Sequence, residues 1–311
     1  MTKFKQWHVG TSLEILKKRA KITQNIMNFF NSRGFLHVNT PLLGPTTIID
    51  ENIDSIQTNY DNYYLQTSPE FYMKRVLATY PDQAIFQICK AFRHEAFSKK
   101  HNYEFEMLEY YRPNCTLTDF MAELQKFLLL LLPDSFSENV YYFTYQELFK
   151  YFVNIDISNT TISELRFACR DNALSEGLEL DFDGYLDLVY GILIEPKLKG
   201  VVFITDFPAS KAGLAQVKNG VAERFEVVID GWEIANGFNE LRDSKIQRKR
   251  FEEANKKRQK KHLPPLMMDT NFLFCLDDLP QCIGVSVGLD RLITKMLNCN
   301  ALCETVNFLC N

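Results

Sequence analysis

Three glutamates, Glu226, Glu233 and Glu240, stand at even intervals along the segment EVVIDGWEIANGFNE, residues 226–240. An unpaired buried carboxylate is costly, so such residues in an apolar segment pair with Arg or Lys, hold a metal or meet a ligand. A second example is EFEMLEYYR, residues 104–112. There the two-residue period of a strand puts Phe105, Met107, Glu109 and Tyr111 on one face, a carboxylate and a phenol beside apolar neighbours. Two arginines supply the opposite charge. Arg93 closes the preceding strand and Arg291 lies in the first turn of a helix just after Gly288. Guanidinium groups held on rigid elements suit forked contacts with phosphate oxygens. Gly284 and Gly288, around Val285-Ser286-Val287, let a ligand approach the backbone where a side chain would block it. The pattern suggests a nucleotide with magnesium; taken alone it also fits surface ion pairs and edge carboxylates facing solvent.

These residues need elements to position them. Thr11 or Ser12 can cap a helix with apolar positions Leu13, Leu16, Ala20, Ile26, Phe29 and Phe30, and Gly34 is its expected stop. A strand at 35–38 follows, ended by Thr40-Pro41. After a strand at 63–66, Ser68, Pro69 and Glu70 mark a helix start with Ser68 as N-cap, and the helix is expected to reach Thr79. Residues 84–93 and 104–112 read as an antiparallel hairpin around the polar loop HEAFSKKHNY. Residues 116–132 read as helix, Thr144–Glu147 and Thr161–Glu164 as capping boxes, and Gly184 to Ile194 as another apolar helix. Strands return at 201–205 and 222–231, then a charged helix near Lys245 to Lys261, and a closing strand and helix over 282–297. The order predicts one mixed α+β domain over residues 1–311, an antiparallel sheet flanked by helices, with a helical insertion at about 116–200.

Composition narrows the function classes. The 311 residues carry a net charge of −4, so no overall basic field favours non-specific nucleic-acid binding. The longest purely aliphatic and aromatic run, Phe127 to Leu132, is too short to span a bilayer, and the N-terminal residues Lys3, Lys5, Trp7 and His8 do not make a secretory signal. A cytoplasmic protein without membrane association is the expectation. The eight cysteines contain no CxxC pair, which predicts reduced thiols rather than a disulfide framework or zinc site. A GxxxxGK[ST] loop, a GxGxxG turn, HExxH and a nucleophile elbow are all missing from the sequence.

The segment FRHEAFSKKHNYEFEMLEYYRP, residues 92–113, resembles motif 2 of the class II aminoacyl-tRNA synthetases. GVSVGLDRL, residues 284–292, resembles their motif 3, and the helix, strand and proline from Arg19 to Pro41 resemble motif 1, their dimer-forming element. Within that family, EIANGFNEL at 233–241 and TSPEFYMKR at 67–75 are similar to the lysyl enzymes. The resemblance is closest to truncated paralogues of those enzymes, without an anticodon-binding domain, that ligate a lysine to a lysine of elongation factor P. It extends over TDFPASKAGLAQ at 205–216 and VAERFEVV at 221–228.

By position, this resemblance implies that Ser68, Pro69, Glu70, Tyr111 and Glu240 contact a lysine-like small molecule, with Tyr111 and Glu240 receiving its side-chain amine. Arg93, His94, Glu95, Asn102, Glu233, Ile234, Gly288 and Arg291 would bind ATP, with Arg93 and Arg291 catalytic, and Glu226 and Glu233 would hold Mg2+. It further implies a homodimer, AMP-forming chemistry and elongation factor P as acceptor. Three positions depart from the pattern: His94 and Tyr103 stand where the related ligases carry Asn and Pro. Ser286 replaces a synthetase glycine, which suggests a preference for β-lysine over an ordinary α-amino acid. Two alternatives remain at this level, a minimal synthetase charging tRNA and a catalytically silent amino-acid sensor. The net charge lends tRNA little support, and the basic stretch Lys245 to Lys261 reads either as a solvated helix face or as a docking patch.

Overall fold

The computed structural model describes residues 9–50, 53–171 and 179–309. They form two compact units, one of residues up to 132 together with those from 241 on, the other of residues 133–240. In the first unit, helix α1 (Leu13–Asn31) starts where Ser12 accepts a hydrogen bond from the Ile15 amide at 3.3 Å. Gly34, at φ +76°, then turns the chain into strand β1 (Leu36–His37). The apolar stripe of α1 puts Phe30 at the centre of the core. Its ring stacks on Phe86 at 4.8 Å and lies 4.8 Å from Tyr110.

Strands β2 (Leu43–Gly44) and β3 (Tyr64–Leu65) make a short antiparallel pair just before helix α2 (Glu70–Thr79). The N-cap of α2 is Pro69 rather than the expected Ser68. Ser68 still serves the helix end, because its Oγ accepts from the Glu70 amide at 3.4 Å. The predicted hairpin forms as β4 (Ile85–Phe92) and β5 (Glu104–Pro113), and helix α3 (Leu117–Leu131) follows, capped by Thr116.

The second unit opens with a strand that periodicity did not reveal, β6 (Val140–Thr144). Helix α4 (Tyr145–Val153) then starts with both halves of the expected Thr144–Glu147 capping box in place. Helices α5 (Ile162–Asp171) and α6 (Phe182–Val189) follow. The helix expected to run to Ile194 widens after Val189 into a π-helical turn, Tyr190–Ile194. Strand β7 (Val201–Thr205) pairs in parallel with β6. Three short strands, β8 (Phe207–Pro208), β9 (Val217–Lys218) and β10 (Val221–Ala222), make a separate small sheet. Strand β11 (Arg224–Ile229) runs antiparallel to β7 and to β12 (Trp232–Asn239), so that this unit orders its long strands β12-β11-β7-β6. Tyr145, Phe149, Tyr185, Val202, Ile204 and Val228 belong to its core.

The chain returns to the first unit with helices α7 (Ser244–Lys260) and α8 (Thr270–Cys275), strand β13 (Cys282–Gly288) and helix α9 (Leu289–Met296). Here the strand order is β1-β4-β5-β13, antiparallel except for β1 with β4. The fold is thus α+β, with mostly antiparallel strands flanked by helices. None of the described helices is long and apolar enough to cross a membrane.

Candidate active site

The first unit assembles its site on β4, β5 and β13. Their register sets Glu109 opposite Gln87 on one side and Ser286 on the other, with Tyr111 opposite Ile85 and Gly284. All of these side-chain positions share one face, since directly paired residues point the same way. Glu109 and Tyr111 are buried, in a stretch of β5 that is buried on both faces. The Tyr111 hydroxyl donates to Glu109 Oε1 at 2.6 Å and the Ser286 hydroxyl donates to Oε2 at 2.6 Å. A phenol that donates its proton in this way can also accept a hydrogen bond at its oxygen. Glu70 and Lys74, one helical turn apart on α2, form a buried ion pair at 2.6 Å. Burial, followed by the charge of Glu70, pushes Glu109 up to about 7, while Ser286, Tyr111 and Lys74 act in the opposite direction.

Several of the residues expected to meet ATP lie around the β4–β5 loop. Arg93 donates through Nε to the Thr67 carbonyl at 3.3 Å, stands 3.8 Å from Glu95, and has its guanidinium 5.3 Å from the Phe105 ring centre. Arg291 donates to the Lys100 carbonyl at 3.0 Å, which ties α9 to the same loop. Asn102 is buried and donates to the Glu104 carbonyl at 2.7 Å. His94 stacks on Tyr103 and meets Asp54 at 3.1 Å, so the two loop departures pack on each other. Gly288 stands at the N-cap of α9, directly ahead of Asp290 and Arg291. Asp290 accepts the Glu106 amide at 2.7 Å and pairs with Arg19, which also pairs with Glu106. The three segments that resemble motifs 1, 2 and 3 are therefore knotted together by α1, β5 and α9.

The second unit carries the remaining carboxylates. A register shift between Val227 and Val228 leaves Glu233 opposite Val228, on the same face as Glu226. Glu226 is buried; Arg224 pairs with its Oε1, and the Tyr190 hydroxyl donates to its Oε2 at 3.2 Å. Tyr190 starts the π-helical turn, a local widening that frequently marks functional positions. Burial pushes Glu226 up to about 7, with Arg224 opposing and Glu233 and Glu195 adding like-charge repulsion. Ile234 is buried in β12. Glu240 is buried just past its end, where it bridges to Ala215 and its carbonyl accepts from Gln216 at 2.9 Å.

Crowded carboxylates of this kind fit a hard divalent cation, which would relieve the repulsion around Glu226. Among the described residues no group of three or more His, Cys, Asp or Glu could hold a metal unaided. A magnesium ion held by two carboxylates would take its other oxygens from phosphate and water, its usual arrangement at nucleotide sites.

Sequence reading missed Lys74, Gln87, Arg224, Glu195 and Tyr190 as neighbours of these groups. Lys74 at one turn from Glu70, and Arg224 two residues from Glu226 on one strand face, were visible signals. Tyr190 and Glu195 come from a distant segment and had none.

The chain matches the family model of class II tRNA synthetases (D, K and N) over residues 4–309. It is 38% identical to a protein of Buchnera aphidicola subsp. Acyrthosiphon pisum (strain APS) named elongation factor P–(R)-β-lysine ligase, over 98% of both chains. A Salmonella dublin protein of the same name is 37% identical over 99% of this chain and 98% of its own. With the motif segments joined through Arg19, Glu106 and Asp290, and this match over nearly the whole length, the chain belongs to the class II tRNA synthetase (D, K and N) family.

Proposed function

We propose that this protein is an ATP-dependent, AMP-forming ligase that activates (R)-β-lysine, or lysine, and joins it to the ε-amine of a lysine on elongation factor P. The observation that carries this reading is the near full-length similarity to relatives bearing that ligase name. The site chemistry agrees with it. Tyr111, Glu240, Glu70, Ser68 and Pro69 are assigned to the amino acid, and a phenol oxygen and carboxylates are the groups that an ammonium needs. Arg93, His94, Glu95, Asn102, Glu233, Ile234, Gly288 and Arg291 are assigned to ATP. Both units are read as parts of one catalytic domain.

In the first step a carboxylate oxygen of the amino acid attacks the α-phosphorus, forming the aminoacyl-adenylate as pyrophosphate leaves. In the second, the lysine ε-amine of the protein acceptor attacks the activated carbonyl, an amide forms, AMP leaves and the amine proton passes to solvent. Neither step needs a nucleophile from the enzyme. Arg93 stabilises charge building on the α-phosphate and Arg291 holds the far end of the triphosphate, so catalysis rests on alignment and electrostatics. Glu226 and Glu233 would hold Mg2+, which when bound neutralises charge on phosphate oxygens. Leu36, exposed at β1, gives the motif 1 segment apolar surface for a two-fold dimer in the cytoplasm.

The test is pyrophosphate exchange into ATP with α-lysine and (R)-β-lysine, followed by mass analysis of elongation factor P and tRNA incubated with the better substrate. A lysine-sized increase on the protein, larger with β-lysine, is expected. Acylation of tRNA alone would replace this reading with a minimal synthetase.

A further inference from the structure

In the second unit the buried Glu226 is held at both carboxylate oxygens, by donors from two different elements. Arg224, on β11, pairs with Oε1, and its guanidinium is itself fixed by the Asn236 side chain at 3.1 Å and the Lys211 carbonyl at 2.9 Å. The Tyr190 hydroxyl donates to Oε2 at 3.2 Å from the π-helical turn that follows α6. The widening falls on the residue that makes this contact. The hydrogen bond that defines the turn runs from the Glu195 amide to the Tyr190 carbonyl, so the residue that opens the π turn is the one whose side chain meets Glu226.

Aromatic packing joins the two donors. The Tyr190 ring lies 5.4 Å from that of Tyr145, Tyr145 lies 4.9 Å from Phe207, and the Arg224 guanidinium lies 4.5 Å from the Phe207 ring centre. Tyr145 and Phe207 are core residues of this unit. A shift of either donor away from Glu226 therefore disturbs close-packed rings, which resist it.

We propose that Tyr190 is a positioning residue for magnesium: its hydroxyl, together with the guanidinium of Arg224, fixes the Glu226 carboxylate in one orientation ahead of metal binding. The inference rests on the reading that Glu226 and Glu233 hold Mg2+, and it adds a residue that acts only through Glu226. Groups bonded behind a metal ligand set its orientation, and their loss weakens metal binding by about 10- to 100-fold. The cation matters as well. Mg2+ demands near-ideal geometry whereas Ca2+ accepts a variable set of oxygens, so a carboxylate fixed in this way favours the smaller ion.

Metal binding to the full chain tests the proposal without turnover. Mn2+ is titrated into protein saturated with a nonhydrolysable ATP analogue, bound Mn2+ is followed by electron paramagnetic resonance, and Mg2+ and Ca2+ are then competed against it. Tyr190→Phe keeps the ring and removes the hydroxyl. It should weaken Mn2+ and Mg2+ binding about tenfold and Ca2+ binding distinctly less. In a Glu226→Gln background the same substitution should add no further loss. A merely structural role would lower the unfolding midpoint and leave the ratio of Mg2+ to Ca2+ affinity where it is in wild type.

Wild-type Mg2+ affinity in Tyr190→Phe, an unchanged ratio of Mg2+ to Ca2+ affinity, or an equal further loss in the Glu226→Gln background overturns the positioning role. If Glu226→Gln alone still weakens binding, the magnesium reading survives that failure. Wild-type Mn2+ affinity in Glu226→Gln overturns the magnesium reading, and the positioning role with it.

Discussion

Arg224 in the second unit and Arg93 in the first both lie at the end of a strand beside carboxylates, yet they are used differently. Arg224 is saturated by the protein: Nε donates to Asn236 at 3.1 Å, a terminal nitrogen to the Lys211 carbonyl at 2.9 Å, and another pairs with Glu226. Its guanidinium also lies 4.5 Å from the Phe207 ring centre and 5.8 Å from that of Phe238. Arg93 donates through Nε to one carbonyl at 3.3 Å and stands 3.8 Å from a carboxylate, with about a quarter of its side chain exposed. An arginine whose fork is filled by its own protein builds architecture. One assigned to phosphate, as Arg93 is in the function proposed above, has its forked charge directed at a ligand instead.

Substituting the two arginines should therefore separate activity from stability. Arg93→Ala is expected to lower adenylate formation by about 10²- to 10³-fold, the scale for losing one preorganised electrostatic group, with little change in the unfolding midpoint. Pyrophosphate exchange and a thermal melt on the same preparation check it. Normal exchange by this variant would remove Arg93 from the chemistry. Arg224→Ala should behave in the opposite way. It leaves the buried Glu226 without its cation, for which the general cost is about 3–5 kcal/mol, so urea unfolding should show a large loss of stability. Retention of wild-type stability would show that Tyr190 alone satisfies Glu226.

The carboxylates extend the contrast to pH. Glu109 and Glu226 are both raised from 4.5 to about 7, so in the folded state each binds its proton more tightly than in the unfolded chain. Their contribution to stability is fully present below about 4.5 and is lost as pH rises through about 7. Glu109→Gln and Glu226→Gln should each flatten part of that decline in a pH series of unfolding midpoints. Magnesium should tell them apart. With a nonhydrolysable ATP analogue, calorimetry should show metal affinity growing as pH rises through 7, and Glu226→Gln should abolish this dependence. Persistence of the dependence in Glu226→Gln would place the metal elsewhere.

Legibility in the sequence followed how local each feature is. Ser12 before α1, the Thr144–Glu147 box, the β4–β5 hairpin and the β13–α9 junction were all readable because each signal lies within a few residues of its effect. Strand β6 was not, since Val140–Thr144 becomes a strand by pairing with the distant Val201–Thr205. The same limit applies at the site. The shared face of Glu109 and Tyr111 follows from a two-residue period, but the bond from Ser286 to Glu109 depends on the register of β13 against β5, which no local pattern contains. Motif resemblance could supply the positions of Arg93, Arg291 and the three glutamates. It could not supply Tyr190 and Glu195, which come to Glu226 from the π-helical turn and the 3-10 turn after it, in the segment before β7.

The smallest expected effect tests that locality directly. In the second unit Thr144 accepts the Glu147 amide at 3.2 Å while Glu147 accepts the Thr144 amide at 2.7 Å, closing the first turn of α4. The box is exposed, but Tyr145, Leu148 and Phe149 on the same helix enter the core of that unit. Thr144→Ala should cost about 1 kcal/mol, the usual value of a lost N-cap, and lower the urea midpoint without changing its slope. Pyrophosphate exchange should stay at the wild-type level, because neither residue of the box is assigned to a substrate. A loss of exchange comparable to that of Arg93→Ala would mean that the start of α4 governs the chemistry, and the division between architectural and reactive groups drawn from the two arginines would then fail.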